Sequence, residues 1–372
     1  MIDASDDDPQ RLLPPSEPVR LLEPDGTLRE HPDFPLRLES DQLRDLYRRM
    51  VVTRRVDREA INLQRQGQLA LHASGLGQEG AQIGSALALA DEDWVFPSYR
   101  ELGVAMVRGV APAELLHVWR GTWLGCHDPY RTNFAFMAIP IATQALHAAG
   151  FAMGARLDAN PIAAVAYVGD GATSEGDFHE ACNFAAVYQA PCIFFVQNNQ
   201  YAISVSLEQQ THAPTLAHKA VGYGMPGYRC DGNDVLATLA VTRHALARAR
   251  AGAGPALIEA MTYRMEAHTT SDDPTRYRTA EELEEAARTD PIARMRNLLE
   301  REGLLDEDLE AAIEDESRSA SAALREAVYE APHGEVTELF EHVYVDRRGH
   351  LEDHEALLRA ELDAEVAGEG EG

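Results

Sequence analysis

Asp170 and Asn199 each close an apolar run, and each can offer a hard oxygen to a metal ion. The run before Asp170, Ile162-Ala-Ala-Val-Ala-Tyr-Val168, reads as a buried strand, and Gly169-Asp170-Gly171 ends it in a sharp turn. Thr173 or Ser174 is placed to cap a following helix, which carries Phe178, Ala181, Cys182 and Ala185 at helical spacing. Pro191 marks the end of that helix, Cys192-Ile-Phe-Phe-Val196 reads as a second buried strand, and Asn198-Asn199 closes it. A strand–helix–strand crossover makes its two strands parallel. Asp170 and Asn199 are therefore expected on one carboxyl edge, where open α/β sheets bind ligands. A carboxylate and an amide oxygen converging there suit Mg²⁺, which keeps open positions for water and phosphate oxygens. Main-chain N–H groups at Gly171, Ala172 and the helix start beyond could hold an anion beside it. Taken alone, Gly-Asp-Gly is also an ordinary glycine turn after a strand. The Asn-Asn pair at the next strand end weighs against that simpler reading.

The elements around this unit follow the same pattern. From about residue 80 to 265, short apolar runs alternate with amphipathic stretches. That is the mark of an α/β fold with a parallel sheet flanked by helices. Residues 1–38 are acidic and proline-rich, and read as an arm with little core of its own. Residues 39–278 form the ligand-binding α/β unit. It begins with a helix capped by Ser40 and running through Arg55, with Leu43, Leu46, Tyr47, Met50 and Val51 on one face. Residues 279–372 read as acidic helices with a frayed end from Gly368 to Gly372. The chain carries 33 Lys and Arg against 61 Asp and Glu, a net charge of −28, and Lys219 is its one lysine. Such a surface repels nucleic acid and anionic membrane. Cys126, Cys182, Cys192 and Cys230 lack C-x-x-C spacing and read as free thiols of a reducing compartment. Neither a signal pattern nor an apolar run of membrane-spanning length is visible, so a cytoplasmic protein is expected.

Gly169-Asp170-Gly171, 26 residues, then Asn198-Asn199 resembles the thiamin-diphosphate fingerprint. The fuller string from Gly169 to Glu180 is similar to α subunits of 2-oxo acid dehydrogenases in particular. So are Asn198-Asn-Gln-Tyr-Ala-Ile-Ser204, Phe96-Pro-Ser-Tyr-Arg-Glu101, Pro140-Ile-Ala-Thr-Gln144 and the segment Tyr263 to Asp273. The resemblance spans about residues 40 to 330. It implies Mg²⁺ held by Asp170, Asn199 and the main-chain oxygen of Tyr201. It also implies a diphosphate held by Tyr99 and Arg100, with Arg264 and His268 nearby, and an aminopyrimidine against the main chain at Ile139 and Ile141. His268 becomes a candidate proton donor, since imidazole titrates near neutral pH. Outside such a setting, Tyr99 would be core packing, and Arg100 and Arg264 would be solvated charges.

The implied reaction is oxidative decarboxylation of a 2-oxo acid, pyruvate or branched-chain, with acyl transfer to the lipoyl group of a dihydrolipoyl acyltransferase. The implied unit is an α₂β₂ heterotetramer in which a β-subunit glutamate completes the cofactor site. Some positions depart from the pattern: Gln197 replaces a phosphate-binding arginine of some members, Ala138 a serine at a monovalent-cation site, and Thr269 a regulatory serine. Gly121 to Phe136 lacks the usual segment. Two other readings stand: an acetoin dehydrogenase α subunit, and a non-catalytic Mg²⁺- or nucleotide-binding module, although no G-x-x-x-x-G-K-[S/T] string is present.

Overall fold

A computed structural model describes residues 12–121, 127–330, 338–341, 343–346 and 348–369. Cys126 and the last three residues lie outside this range. The sheet strands are β1 (Trp94–Phe96), β2 (Ala164–Gly169), β3 (Cys192–Asn198), β6 (Gly227–Asp231) and β7 (Ala256–Met261), with a two-stranded hairpin of β4 (Tyr201–Ala202) and β5 (Val205–Ser206) between them. The five-stranded sheet has the order β1-β2-β3-β7-β6 and all its pairs are parallel. The parallel α/β fold expected from the sequence is therefore the fold observed. Every residue of β3 is buried, as a strand covered on both faces requires.

Strand alternation divides the core in two. Ala164, Ala166, Val168, Phe194 and Val196 face the helices Thr143–Leu157 and Gly176–Val187. Val165, Tyr167, Ile193, Phe195 and Ile258 face the other way, toward the helices Val235–Arg250 and Ser40–Arg65. The small residues of Thr143–Leu157, with Ala145, Ala148, Ala149 and Ala152 all buried, let that helix lie close on the sheet. Val19 hydrogen-bonds β6 through Arg229 O and Asp231 N, so the N-terminal segment covers an otherwise open sheet edge. The C-terminal helix Glu307–Tyr329 shares the same core, burying Ile313, Leu324 and Val328.

Four sequence expectations need correcting. Ser40 is the first helical residue, not the cap; Glu39 and Gln42 form a capping box ahead of it. The helix runs to Arg65, because Val56, Ala60, Ile61 and Leu63 continue the buried face. Thr173 and Ser174 do not cap Gly176–Val187; they sit in a 3₁₀ turn, Gly171–Ser174. The Thr173 hydroxyl is already engaged, donating to Asp170 O at 2.8 Å and accepting from Lys219 Nζ at 2.8 Å. Gly368, read as frayed, falls within the helix Gly349–Glu369.

Asp234 ties the outer layer to the sheet. Its Oδ1 caps Val235–Arg250 by accepting from Leu236 N and Ala237 N, and its Oδ2 accepts from Leu21 N at 2.6 Å and Leu22 N at 2.7 Å. Asp234→Asn keeps one acceptor but turns an amide NH₂ toward buried donors. The expected cost is roughly 3 kcal/mol, one lost cap plus unsatisfied N–H groups. Chemical denaturation measures the loss, and amide exchange at Leu21 and Leu22 should accelerate. An unchanged denaturation midpoint would remove Asp234 from this role.

Candidate active site

Because the strands are parallel, the loops after β1, β2, β3 and β7 leave the same edge. Gly169 pairs with Gln197 and Asn198 with Met261, which brings the Asp170 and Asn199 loops alongside each other. Between these loops lies a cavity of about 430 Å³, within the range of small-ligand sites. Tyr99, Arg100, Ile139, Ile141, Asp170, Gly171, Ala172, Asn199, Tyr201, Arg264 and His268 all line it. The structure thus brings together every site residue expected from the sequence.

One side of the cavity gathers oxygen atoms. The Asn199 amide oxygen lies 3.0 Å from Tyr201 O and 3.3 Å from Asp170 Oδ1. Asn199 Nδ2 meanwhile donates to Gln78 Oε1 at 3.3 Å. Tyr201 N donates to Asn199 Oδ1 at 3.3 Å, and the amide can either turn to donate to Tyr201 O and Asp170 Oδ1 or leave its oxygen for a cation. Asp170 is almost fully buried, and burial raises its pKa. Gln210 Nε2 donates to Asp170 Oδ2 at 2.6 Å and to Val205 O at 3.0 Å, tying the carboxylate to the β4–β5 hairpin. Gly171 permits that approach, since a Cβ there would meet Ala202 Cβ at 2.6 Å. The hairpin turns through Ile203 at φ 56°, a conformation a β-branched residue adopts only under tertiary constraint.

The cavity wall also gathers guanidinium groups. Arg100 NH1 donates to Ser74 O at 2.6 Å, and NH2 donates to His268 O at 2.9 Å and lies 3.2 Å from His268 Nδ1. Its guanidinium carbon lies 5.5 Å from the Tyr99 ring centroid, and that ring meets His268 edge-on at 6.0 Å. Arg264 donates to Tyr201 O at 3.2 Å, Ile203 O at 2.8 Å and the Tyr277 hydroxyl at 3.1 Å, while its buried Nε has no partner among the described residues. Arg100 and Arg264 are both buried, at 6% and 1% exposure, and among the described residues neither forms an ion pair. Arg264 is lowered by burial first and then by Arg100. Two buried cations without a carboxylate partner are costly, and the arrangement suits an anion.

His268 answers to the same field. Burial, then Arg100 and Arg264, lower its pKa to about 4, so the side chain is neutral at pH 7. With Nδ1 facing Arg100, its free donor is Nε2–H. Its main-chain N–H donates to Asp272 Oδ2 at 2.9 Å, and the Tyr277 hydroxyl donates to the same oxygen at 2.5 Å, which orders the loop after β7.

Sequence reasoning missed Gln78, Glu101, Gln144 and Gln210. Gln78 Nε2, Glu101 Oε2, Gln144 Oε1 and Gln197 Oε1 are buried atoms of cavity-lining side chains with no hydrogen-bond partner among the described residues. Burial raises the Glu101 carboxyl, whose Oε1 accepts from Gln197 Nε2 at 2.6 Å. Glutamine is common in loops, and nothing in the spacing of Gln210 reveals its bond to Asp170.

Residues 47–338 match the family described as Dehydrogenase E1 component. The 3-methyl-2-oxobutanoate dehydrogenase subunit alpha of Mycobacterium tuberculosis is 53% identical over 351 residues, covering 93% of this chain and 94% of that protein. The pyruvate dehydrogenase E1 component subunit alpha of Staphylococcus aureus is 41% identical over 347 residues, covering 92% and 93%. With the match spanning the sheet, the oxygen cluster and both buried arginines, the chain belongs to the dehydrogenase E1 component family.

Proposed function

We propose that this chain is the α subunit of a 2-oxo acid dehydrogenase that holds thiamin diphosphate and Mg²⁺ in the cavity and acts on a branched-chain 2-oxo acid. One observation carries the reading: two buried guanidinium groups, without an ion-pair partner among the described residues, share a cavity with the converging Asp170 carboxylate, Asn199 side-chain amide and Tyr201 carbonyl. A metal-bound diphosphate matches both halves, cation to oxygens and anion to arginines. Asp170, Asn199 and the Tyr201 carbonyl would hold Mg²⁺, while Tyr99, Arg100, Arg264 and His268 would meet the diphosphate. Main-chain groups at Ile139 and Ile141 would meet the aminopyrimidine. When bound, the cofactor supplies the electron sink that lets CO₂ leave a 2-oxo acid. Arg100 and Arg264 exclude water and orient the anion, and the Nε2–H of His268 can place a proton near the reacting group during acyl transfer to a lipoyl arm. The branched-chain substrate is favoured by the higher identity to the 3-methyl-2-oxobutanoate enzyme and by the apolar wall of Leu71, Trp119 and Ile139.

The rim supports a protein partner. Phe136, Ile139, Ile141, Ile203 and Val205 are exposed, a concentration of apolar area that marks an interaction surface. A β subunit covering the rim would complete the site in an α₂β₂ heterotetramer, which then serves a lipoyl-bearing dihydrolipoyl acyltransferase. No helix among the described residues is long and apolar enough to cross a membrane, and a cytoplasmic setting fits the buried free thiols Cys182, Cys192 and Cys230.

Asp170→Ala should lower Mg²⁺-dependent thiamin diphosphate affinity by about a hundredfold or more, since an unpaired charge in a buried pair costs roughly 3–5 kcal/mol. Calorimetric titration of the αβ assembly measures this, and near-normal affinity would take Asp170 out of the site.

Cofactor binding should also take up a proton at His268. The free imidazole, held at about 4, is neutral at mildly acidic pH. A neighbouring diphosphate raises it toward its reference value of about 6.5, so the bound state gains a proton between about pH 5 and 6 and affinity rises as pH falls there. Calorimetry in buffers of different ionisation enthalpy reads the uptake. Its persistence in His268→Asn would assign the proton elsewhere, such as to Asp170.

The chain alone, saturated with cofactor and Mg²⁺, should show no appreciable decarboxylation of 3-methyl-2-oxobutanoate or pyruvate in a dye-acceptor assay. Turnover should appear when the β subunit is added and should be faster with the branched substrate. Substantial turnover by the lone chain would overturn the shared-site reading.

A further inference from the structure

Asp57 sits within the helix Ser40–Arg65 at 2% exposure, away from the cavity lining. A carboxylate in such a place is costly unless its oxygens are matched. Both are matched by one short stretch of chain. Oδ1 lies 2.6 Å from His72 Nε2, and Oδ2 accepts from Ser74 Oγ at 2.5 Å. Ser74 Oγ in turn accepts from Leu76 N at 3.2 Å. The residues from 71 to 75 belong to no helix or strand, so no ladder of main-chain bonds fixes them.

The same stretch holds two parts of the active site. The Ser74 carbonyl accepts from Arg100 NH1, leaving NH2 on the carbonyl of His268. His72 N donates to Thr270 Oγ1 at 3.0 Å, and Thr270 N donates to His72 O at 3.0 Å. Arg100 and the loop carrying His268 are therefore both pinned to a segment that Asp57 pins to a core helix. We propose that Asp57 is a positioning residue: through His72 and Ser74 it sets the Arg100 guanidinium and the His268 loop in the geometry that receives the diphosphate. This rests on the function proposed above for the cavity, but the device itself can be read without any ligand.

The test has two arms, both on the assembled αβ protein. The first measures amide hydrogen exchange in Asp57→Ala, in Ser74→Ala, which cuts one link without emptying the helix, and in Val56→Ala, which removes buried methyl groups from the same helix outside the network. Protection at Thr270 and Leu76 should fall by about tenfold or more in the first two variants and stay near wild type in the third, because local opening is set by local bonds. Equal protection in all three would overturn the proposal. The second arm titrates Mg²⁺-thiamin diphosphate. Asp57→Ala and Ser74→Ala should each weaken binding about tenfold, and the effect should vanish when Arg100→Ala is already present, as coupled residues require. A full tenfold loss in the Arg100→Ala background would overturn it. Wild-type protein that fails to bind this cofactor would instead sink the proposed function, while the exchange arm would still decide the role of Asp57.

Discussion

Charge burial at the carboxyl edge of the sheet is the constraint on which the rest of the site depends. Arg100 and Arg264 are held out of water without a carboxylate partner, in a chain whose net charge is −28. Acidic side chains are plentiful, yet the bonds these arginines make go chiefly to carbonyls and a hydroxyl. Carbonyl oxygens orient a guanidinium without cancelling its charge. That positive potential is uncancelled, and burial first, then the neighbouring arginine charge, lowers the pKa of both His268 and Arg264. Beside Arg264, which donates to the Tyr201 carbonyl, that carbonyl and the Asp170 carboxylate converge on the Asn199 side chain. A bound cation would suit the oxygens and a bound polyanion the arginines.

Holding such a site needs a rigid frame. The parallel sheet supplies it, since β2 and β3 are buried on both faces and their register brings two loop starts level. Strain collects where the loops turn toward the cavity. Ala142 at φ 68° opens the helix Thr143–Leu157, and Ile203 at φ 56° turns the hairpin that presents the Tyr201 carbonyl. The strained backbone is held by specific bonds, with Arg264 on the Ile203 carbonyl and Gln210 on both Val205 and Asp170.

The elements remote from the site serve this frame. The partly buried Arg54 guanidinium bridges Glu79 and Asp290, joining the helices Ser40–Arg65, Glu79–Ala86 and Pro291–Arg301. Here the cation does have carboxylate partners, so it is a fixed strut and not a vacant charge. Arg100 and Arg264, by contrast, line the cavity with no ion pair among the described residues.

Much of this was legible in the chain itself. Apolar runs of strand length, an intervening helical pattern and the Gly-Asp-Gly and Asn-Asn closures determined a parallel sheet and one candidate ligand edge, because side-chain periodicity and crossover geometry can be read along the chain. Candidate site residues with distinctive chemistry, Asp170, Asn199, Arg100 and His268, could be named for the same reason. What the tertiary structure alone decided was environment. Arginine in a sequence carries no sign of burial, and only packing shows that Arg264 is buried with no ion pair among the described residues while Arg54 is partly buried and paired. The Glu39 cap of the first helix, the 3₁₀ turn after Asp170, and the bonds from Gln210 to Asp170 and from Asp57 to Ser74 were likewise beyond reach. Polar side chains with several possible partners show no choice among them until the fold brings distant segments together, and that choice rests on which buried donors and acceptors remain to be satisfied.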